Sequence, residues 1–122
     1  MKSYKDLDIY NISIELFFET HAFSLKLPTF ETYELGSQLR RSSDSINSNI
    51  VEGYGRKSYK QDFIKFITYA HASNLECHNH LYKISRLYPE LKEEGEKLME
   101  EYHKLGVKIH NFLEYVKSSW KT

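Results

Sequence analysis

The sequence predicts an all-α fold, an antiparallel up-down-up-down four-helix bundle, with residues 1–122 forming a single domain. Three observations carry this expectation. Apolar residues recur at alternating spacings of three and four along most of the chain. Only two prolines and five glycines interrupt the pattern. No Val/Ile/Thr alternation of strand type is present. A chain of 122 residues can bury a sizeable core without disulfide or metal staples. The ten tyrosines, seven phenylalanines and one tryptophan supply a large apolar payload for that core or for an interface.

The first helix is read from Leu7, Tyr10, Ile14, Phe17 and His21, which share one stripe, with Ile9, Leu16 and Phe18 widening it. It should stop near Pro28, because proline disfavours helical geometry in the residue before it. A second helix is expected to begin near Thr29 or Glu31. Its stripe is Leu35, Leu39, Ser42, Ile46, Ile50 and Gly53, so its serines and asparagines lie inside a heptad pattern and small residues sit where backbones approach. Ser, Asn and Gly have modest helix propensity, so tertiary packing must stabilise this segment. Gly53 and Gly55 suit its end, where glycine tolerates the left-handed conformation.

Ser58 followed by Gln61 forms a capping-box pattern that predicts the start of the third helix. Phe63, Ile67, Ala70, Asn74, Cys77, Leu81 and Ile84 make its core stripe. Ile64, His71, Leu75, His78 and Tyr82 line an adjacent one, which predicts contact with more than one partner. Pro89 fits the first turn of the fourth helix, and Glu90, Glu93 and Glu94 complement its dipole. Leu91, Gly95, Leu98, Tyr102, Leu105, Ile109, Phe112 and Val116 then form a nearly unbroken seam.

Charge is balanced, with 17 Lys+Arg against 17 Asp+Glu, but it is unevenly spread. Residues 1–39 carry net −3, residues 40–86 net +4 and residues 87–122 net −1. One cysteine, Cys77, precludes an internal disulfide and points to a reducing compartment. No apolar run approaches the roughly 18 residues that span a bilayer, and the start of the chain has no signal-peptide pattern. The expectation is a cytoplasmic protein without membrane partners.

Residues 39–81 read LRRSSDSINSNIVEGYGRKSYKQDFIKFITYAHASNLECHNHL. This stretch resembles the bacterial four-helix bundle family that includes proteins encoded in intervening sequences of 23S rRNA genes. The accessory variability protein of diversity-generating retroelements belongs to the same broad group. Leu39, Arg40, Arg41, Ser45, Ile46, Asn49, Ile50, Glu52, Gly53, Gly55 and Arg56 match the family pattern, as do Phe63, Phe66, Ala70, Ser73, Leu75 and Glu76. Ser42 and Ser43 stand where alanines are usual, Asn47 where proline is common, and Val51 in place of alanine. Asn74 intrudes between Ser73 and Leu75. The resemblance implies a ring-shaped homo-oligomer, a pentamer in characterised relatives. The retroelement relatives imply binding of nucleic acid and of a reverse transcriptase.

Two residue sets carry the functional expectations. Arg40, Arg41, Arg56, Lys57, Lys60 and Lys65 form a basic cluster around the turn between the second and third helices, where RNA or DNA would bind through its backbone, with salt sensitivity. Tyr54 and Tyr59 flank the cluster as stacking platforms, and free amides at the start of the third helix would add to an anion site. Arg41, Ser45, Asn49 and Glu52 share one face of the second helix. With Glu76 on the third, they are expected to form a polar network or subunit interface.

Catalysis is not expected, because no second carboxylate or nucleophile pairs with Glu52. The glycines do not match a P-loop: the spacing is wrong and a helix, not a strand, precedes them. No metal or cofactor is expected either. The only Glu-x-x-His pattern is Glu100–His103, and a di-iron bundle needs a second one. His71, His78 and His80 are read as buried or interfacial. The function expected is that of a non-enzymatic oligomeric bundle that acts as a nucleic-acid-binding accessory factor through the basic patch around the turn between the second and third helices. The alternative is a structural or protein-partner scaffold.

Overall fold

The computed structural model describes residues 2–121. It contains four long helices and no strand among the described residues. Helix α1 spans Asp8–Ser24, and a single turn, α2, spans Thr29–Thr32. Helix α3 spans Leu35–Gly55, α4 spans Lys60–Leu87 and α5 spans Lys92–Ser119. Helix α3 packs on α4, α4 on α5, and α1 on both α3 and α5, so the four long helices close into an up-down-up-down bundle. None of the described helices is long and apolar enough to cross a membrane.

The core is built from one heptad seam per helix. On α4 it holds Phe63, Ile67, Ala70, Asn74, Cys77, Leu81 and Ile84, as the spacing predicts. On α5 it holds Gly95, Leu98, Tyr102, Leu105, Ile109, Leu113 and Val116. Phe112 is only partly buried, and Leu113 takes the core position expected for it. Gly95 lets α4 and α5 approach closely, since a Cβ there would lie 2.5 Å from Ser85 Oγ.

Helix α1 departs from the predicted stripe. Its core face is Ile9, Ser13, Leu16, Thr20 and Phe23, one position round from the expected set. Tyr10, Ile14 and Phe17 are half-buried and His21 is exposed. The physical reason is that the hydroxyls at the buried positions find partners. Ser13 Oγ donates to Tyr10 O at 2.9 Å, and Thr20 Oγ1 shares a hydrogen bond with the Tyr102 hydroxyl of α5.

The expected second helix is split. Helix α2 is one turn, and Glu34 breaks it from α3 with non-helical backbone angles of φ −108° and ψ −95°. The corner is held by Arg40, whose guanidinium donates to Ser24 Oγ and to Thr32 O, each at 2.9 Å. Tyr88 donates its hydroxyl to buried Glu31 in the same corner.

Two further local expectations are corrected. Helix α3 runs through Gly55, and no described glycine has positive φ, so Gly53 is not a left-handed terminus. Gly53 is instead a packing residue, where a Cβ would stand 3.2 Å from the Phe66 Cβ of α4. The N-cap of α4 is Tyr59 and no side chain caps it, so the Ser58–Gln61 pattern does not form a capping box. As the two stripes predict, α4 packs on both α3 and α5; of the adjacent stripe, Ile64, His71 and His78 are half-buried, and Leu75 and Tyr82 are exposed.

Candidate functional site

The antiparallel arrangement gathers the end of α3, the start of α4 and the end of α5 at one end of the bundle. Arg56, Lys57, Lys60 and Lys65 lie here, joined by Lys117 and Lys121 from the end of the chain. Arg56 is exposed and partly neutralised, with Nε 3.4 Å from Glu52 Oε2 and one terminal nitrogen 3.5 Å from Asp62 Oδ2. Its guanidinium also sits 4.9 Å from the centre of the Phe66 ring. Lys57 donates to the Tyr54 hydroxyl at 2.7 Å. Lys60 has no ion-pair partner among the described residues, and Lys65 lies along the Phe66 and Tyr69 rings.

A tryptophan that the sequence reading did not single out stiffens this turn. Trp120 donates its indole N–H to Lys57 O at 2.9 Å and packs edge-on against Phe63, with centroids 5.0 Å apart. Of the two candidate stacking tyrosines, only Tyr59 is open, at 71% exposure. Tyr54 is 7% exposed and lies against Tyr4, so it is part of the core and not a stacking platform.

The six-residue basic set therefore divides. Arg56, Lys57, Lys60 and Lys65 share one end. Arg40 lies about 24 Å back along α3, by the helical rise, and is turned inward to Ser24 and Thr32. Arg41 is exposed and lines a groove between α3 and α4.

That groove, of about 360 Å³, is bordered by Gln38, Arg41, Ser42, Ser45, Ser73, Glu76 and His80. Ser45 and Ser73 share a hydrogen bond of 2.8 Å across the helices. Asn49 donates to Ser45 O at 2.8 Å and to Ser45 Oγ at 2.9 Å. Of the expected set, Ser45 and Asn49 are joined by hydrogen bonds, while Arg41 and Glu76 border the same groove without an ion pair between them among the described residues. Glu52 does not join them and pairs with Arg56 at the basic end. His80 was not included in the expected network. Burial, reinforced by nearby Lys83, holds its imidazole below the ordinary histidine range, and its Nδ1 is buried without a protein partner.

The groove carries no activated nucleophile. Cys77 is buried and hydrogen-bonded to Ser42 Oγ at 3.3 Å, and burial pushes its thiol up to about 12. Among the described residues, no three metal-ligating side chains converge on one point.

The fold and these two surfaces define a class: a small all-helical bundle with a charged end and a polar inter-helix groove. The family follows from the sequence. The family model described as 23S rRNA-intervening sequence protein matches residues 5–111, and the chain belongs to that family. The match extends well beyond the residues 39–81 that carry the motif. No curated protein matches the chain significantly.

Proposed function

We propose that this chain is a non-enzymatic, self-associating cytoplasmic protein that binds nucleic acid through the basic end of its bundle. The observation that carries the reading is the grouping of Arg56, Lys57, Lys60 and Lys65 beside exposed Tyr59. Such a surface neutralises phosphates without reading bases, and one open tyrosine offers a platform for an unpaired base. The first turn of α4 carries no side-chain cap, so its amides add to the anion-attracting field. In a homo-oligomer, a pentamer by family resemblance, the same modest cluster repeats around the axis and gains avidity. The family's link to 23S rRNA intervening sequences agrees with an RNA-linked or mobile-element role. A reverse transcriptase is the protein partner that the retroelement relatives suggest.

The test is a salt-titrated binding assay on pooled RNA and DNA with wild type and the Arg56→Glu/Lys60→Glu double variant, run beside a solution mass measurement. Retention at low salt is expected for wild type and lost in the variant. Affinity should fall steeply with salt in proportion to the phosphates neutralised. Equal retention by both proteins rejects this surface. The competing scaffold reading has its own support, because Arg56 and Lys57 are already engaged within the chain and Arg41 and Glu76 border an open polar groove. It is favoured if wild type retains neither nucleic acid but still self-associates.

A further inference from the structure

The antiparallel pairing of α4 and α5 sets histidines opposite one another. His71 and His78 are one heptad apart on α4, and His103 and His110 are one heptad apart on α5. All four line a single groove of about 340 Å³, with Asn74, Leu75, Gly106 and Val107 between them. No carboxylate borders it. Close approach of the helices here depends on Gly106, since a Cβ at that position would lie 2.8 Å from Asn74 Nδ2.

We propose that His71 and His110 form a cross-helix clamp for a borderline divalent cation of the zinc class. Their ring centroids are 6.2 Å apart, with planes tilted by 57°. An ion bound through a ring nitrogen at about 2.1 Å lies about 3.2 Å from that ring's centroid. Two imidazoles on one ion therefore stand about 5.2 Å apart at a tetrahedral angle and about 6.4 Å apart when opposed. The observed separation falls inside that range. His110 is exposed and His71 half-buried, so both rings can turn about their side-chain torsions without disturbing the core. Imidazole suits ions of this type, whereas magnesium and calcium favour oxygen ligands.

The remaining ion positions are open to water, because the pair supplies only two protein ligands. Asn74, which lines the same groove, adds an independent observation. Its Nδ2 donates to Tyr102 O at 2.8 Å, while its Oδ1 is buried with no protein donor. That oxygen is an acceptor of the kind an ion-bound water satisfies. The pairing is invisible in the local spacing of either helix. His71 and His110 are 39 residues apart and meet only through the register of α4 on α5.

The experiment is calorimetric titration of the full chain, free of any affinity tag, with zinc chloride alone and with magnesium chloride as the control. The expected result is one zinc ion per chain, released by a chelator, with a rise in melting temperature because the ion binds only the folded pairing. His71→Ala and His110→Ala should each weaken zinc binding at least about ten-fold. His78→Ala and His103→Ala should leave it within about two-fold. Circular dichroism melts verify that each variant is folded, and His71→Asn and His110→Asn serve as polar replacements at the same two positions. Absence of zinc binding, equal binding of magnesium, or a loss that follows His78 and His103 instead overturns the assignment. These outcomes are independent of nucleic-acid retention, which uses none of the four histidines.

Discussion

The hydroxyl pair between Thr20 and Tyr102 offers a sharp test of how the bundle closes, because it is the buried polar bridge from α1 to α5. Tyr102 is 1% exposed and Thr20 is fully buried. Tyr102→Phe removes the phenol oxygen and leaves the Thr20 hydroxyl with only a local helix carbonyl to bond, at a cost of about 1–2 kcal/mol. Thr20→Val leaves the phenol with weaker partners, Leu16 O at 3.5 Å and the neighbouring Ser43 and Cys77 side chains, and costs about 1–3 kcal/mol. The double variant removes both groups and keeps their shape, so its cost should be below about 1 kcal/mol. The expected coupling is therefore about 1–3 kcal/mol. The assay is equilibrium urea unfolding of all four proteins, repeated at several protein concentrations so that self-association does not distort the comparison. A parallel thermal series should separate each single variant from wild type by about 3–6 °C per kcal/mol. Additive losses, agreeing to within about 0.5 kcal/mol, would show that the hydroxyls do not share one bond and would undo this account of the α1–α5 contact.

Two other expectations follow from the buried polar groups. Ser85 Oγ is buried without a partner and fills the space opposite Gly95, so Ser85→Ala should stabilise the protein by about 0.5–1 kcal/mol. Gly95→Ala should then add a further ~1 kcal/mol of helix propensity in that background, but less, or a loss, with Ser85 in place; equal effects in both backgrounds by urea titration would refute the clash. Burial raises the Cys77 thiol from 9.0 to about 12, which favours the protonated form in the folded chain. Its contribution is intact below pH 9.0 and lost as pH climbs toward about 12. Stability should fall across that window and fall less steeply in Cys77→Ala; identical slopes in urea titrations would exclude the thiol as a source.

The parts of the fold that could be read in advance are those where one helix determines its own buried face. The α4 seam from Phe63 to Ile84 is apolar at every heptad position but Asn74, so spacing alone identifies it. Helix α1 failed by one position because Ser13 and Thr20 occupy core sites, and a hydroxyl is counted as polar until its partner is known. The partner of Thr20 lies 82 residues away, beyond any window of local periodicity. The split between α2 and α3 was missed for a related reason. Nothing in Tyr33–Glu34 is a glycine or proline, and the break is maintained by Arg40 reaching back to Ser24 and Thr32.

The same distinction separates the two functional surfaces. The basic end was legible because Arg56, Lys57, Lys60 and Lys65 are close in sequence and remain close in space. Arg40 looked equivalent on paper, yet it is a corner tie, since a guanidinium near a helix start readily finds buried carbonyl and hydroxyl acceptors. The histidine groove was illegible for the converse reason. Its two rungs are assembled from opposite helices, and the heptad that places His71 and His78 on α4 has meaning only beside the heptad that places His103 and His110 on α5. A change that shifts α4 by one turn against α5 should therefore disrupt the histidine pairing before it alters the basic end, whose cations lie on the contiguous α3–α4 turn and the first turns of α4.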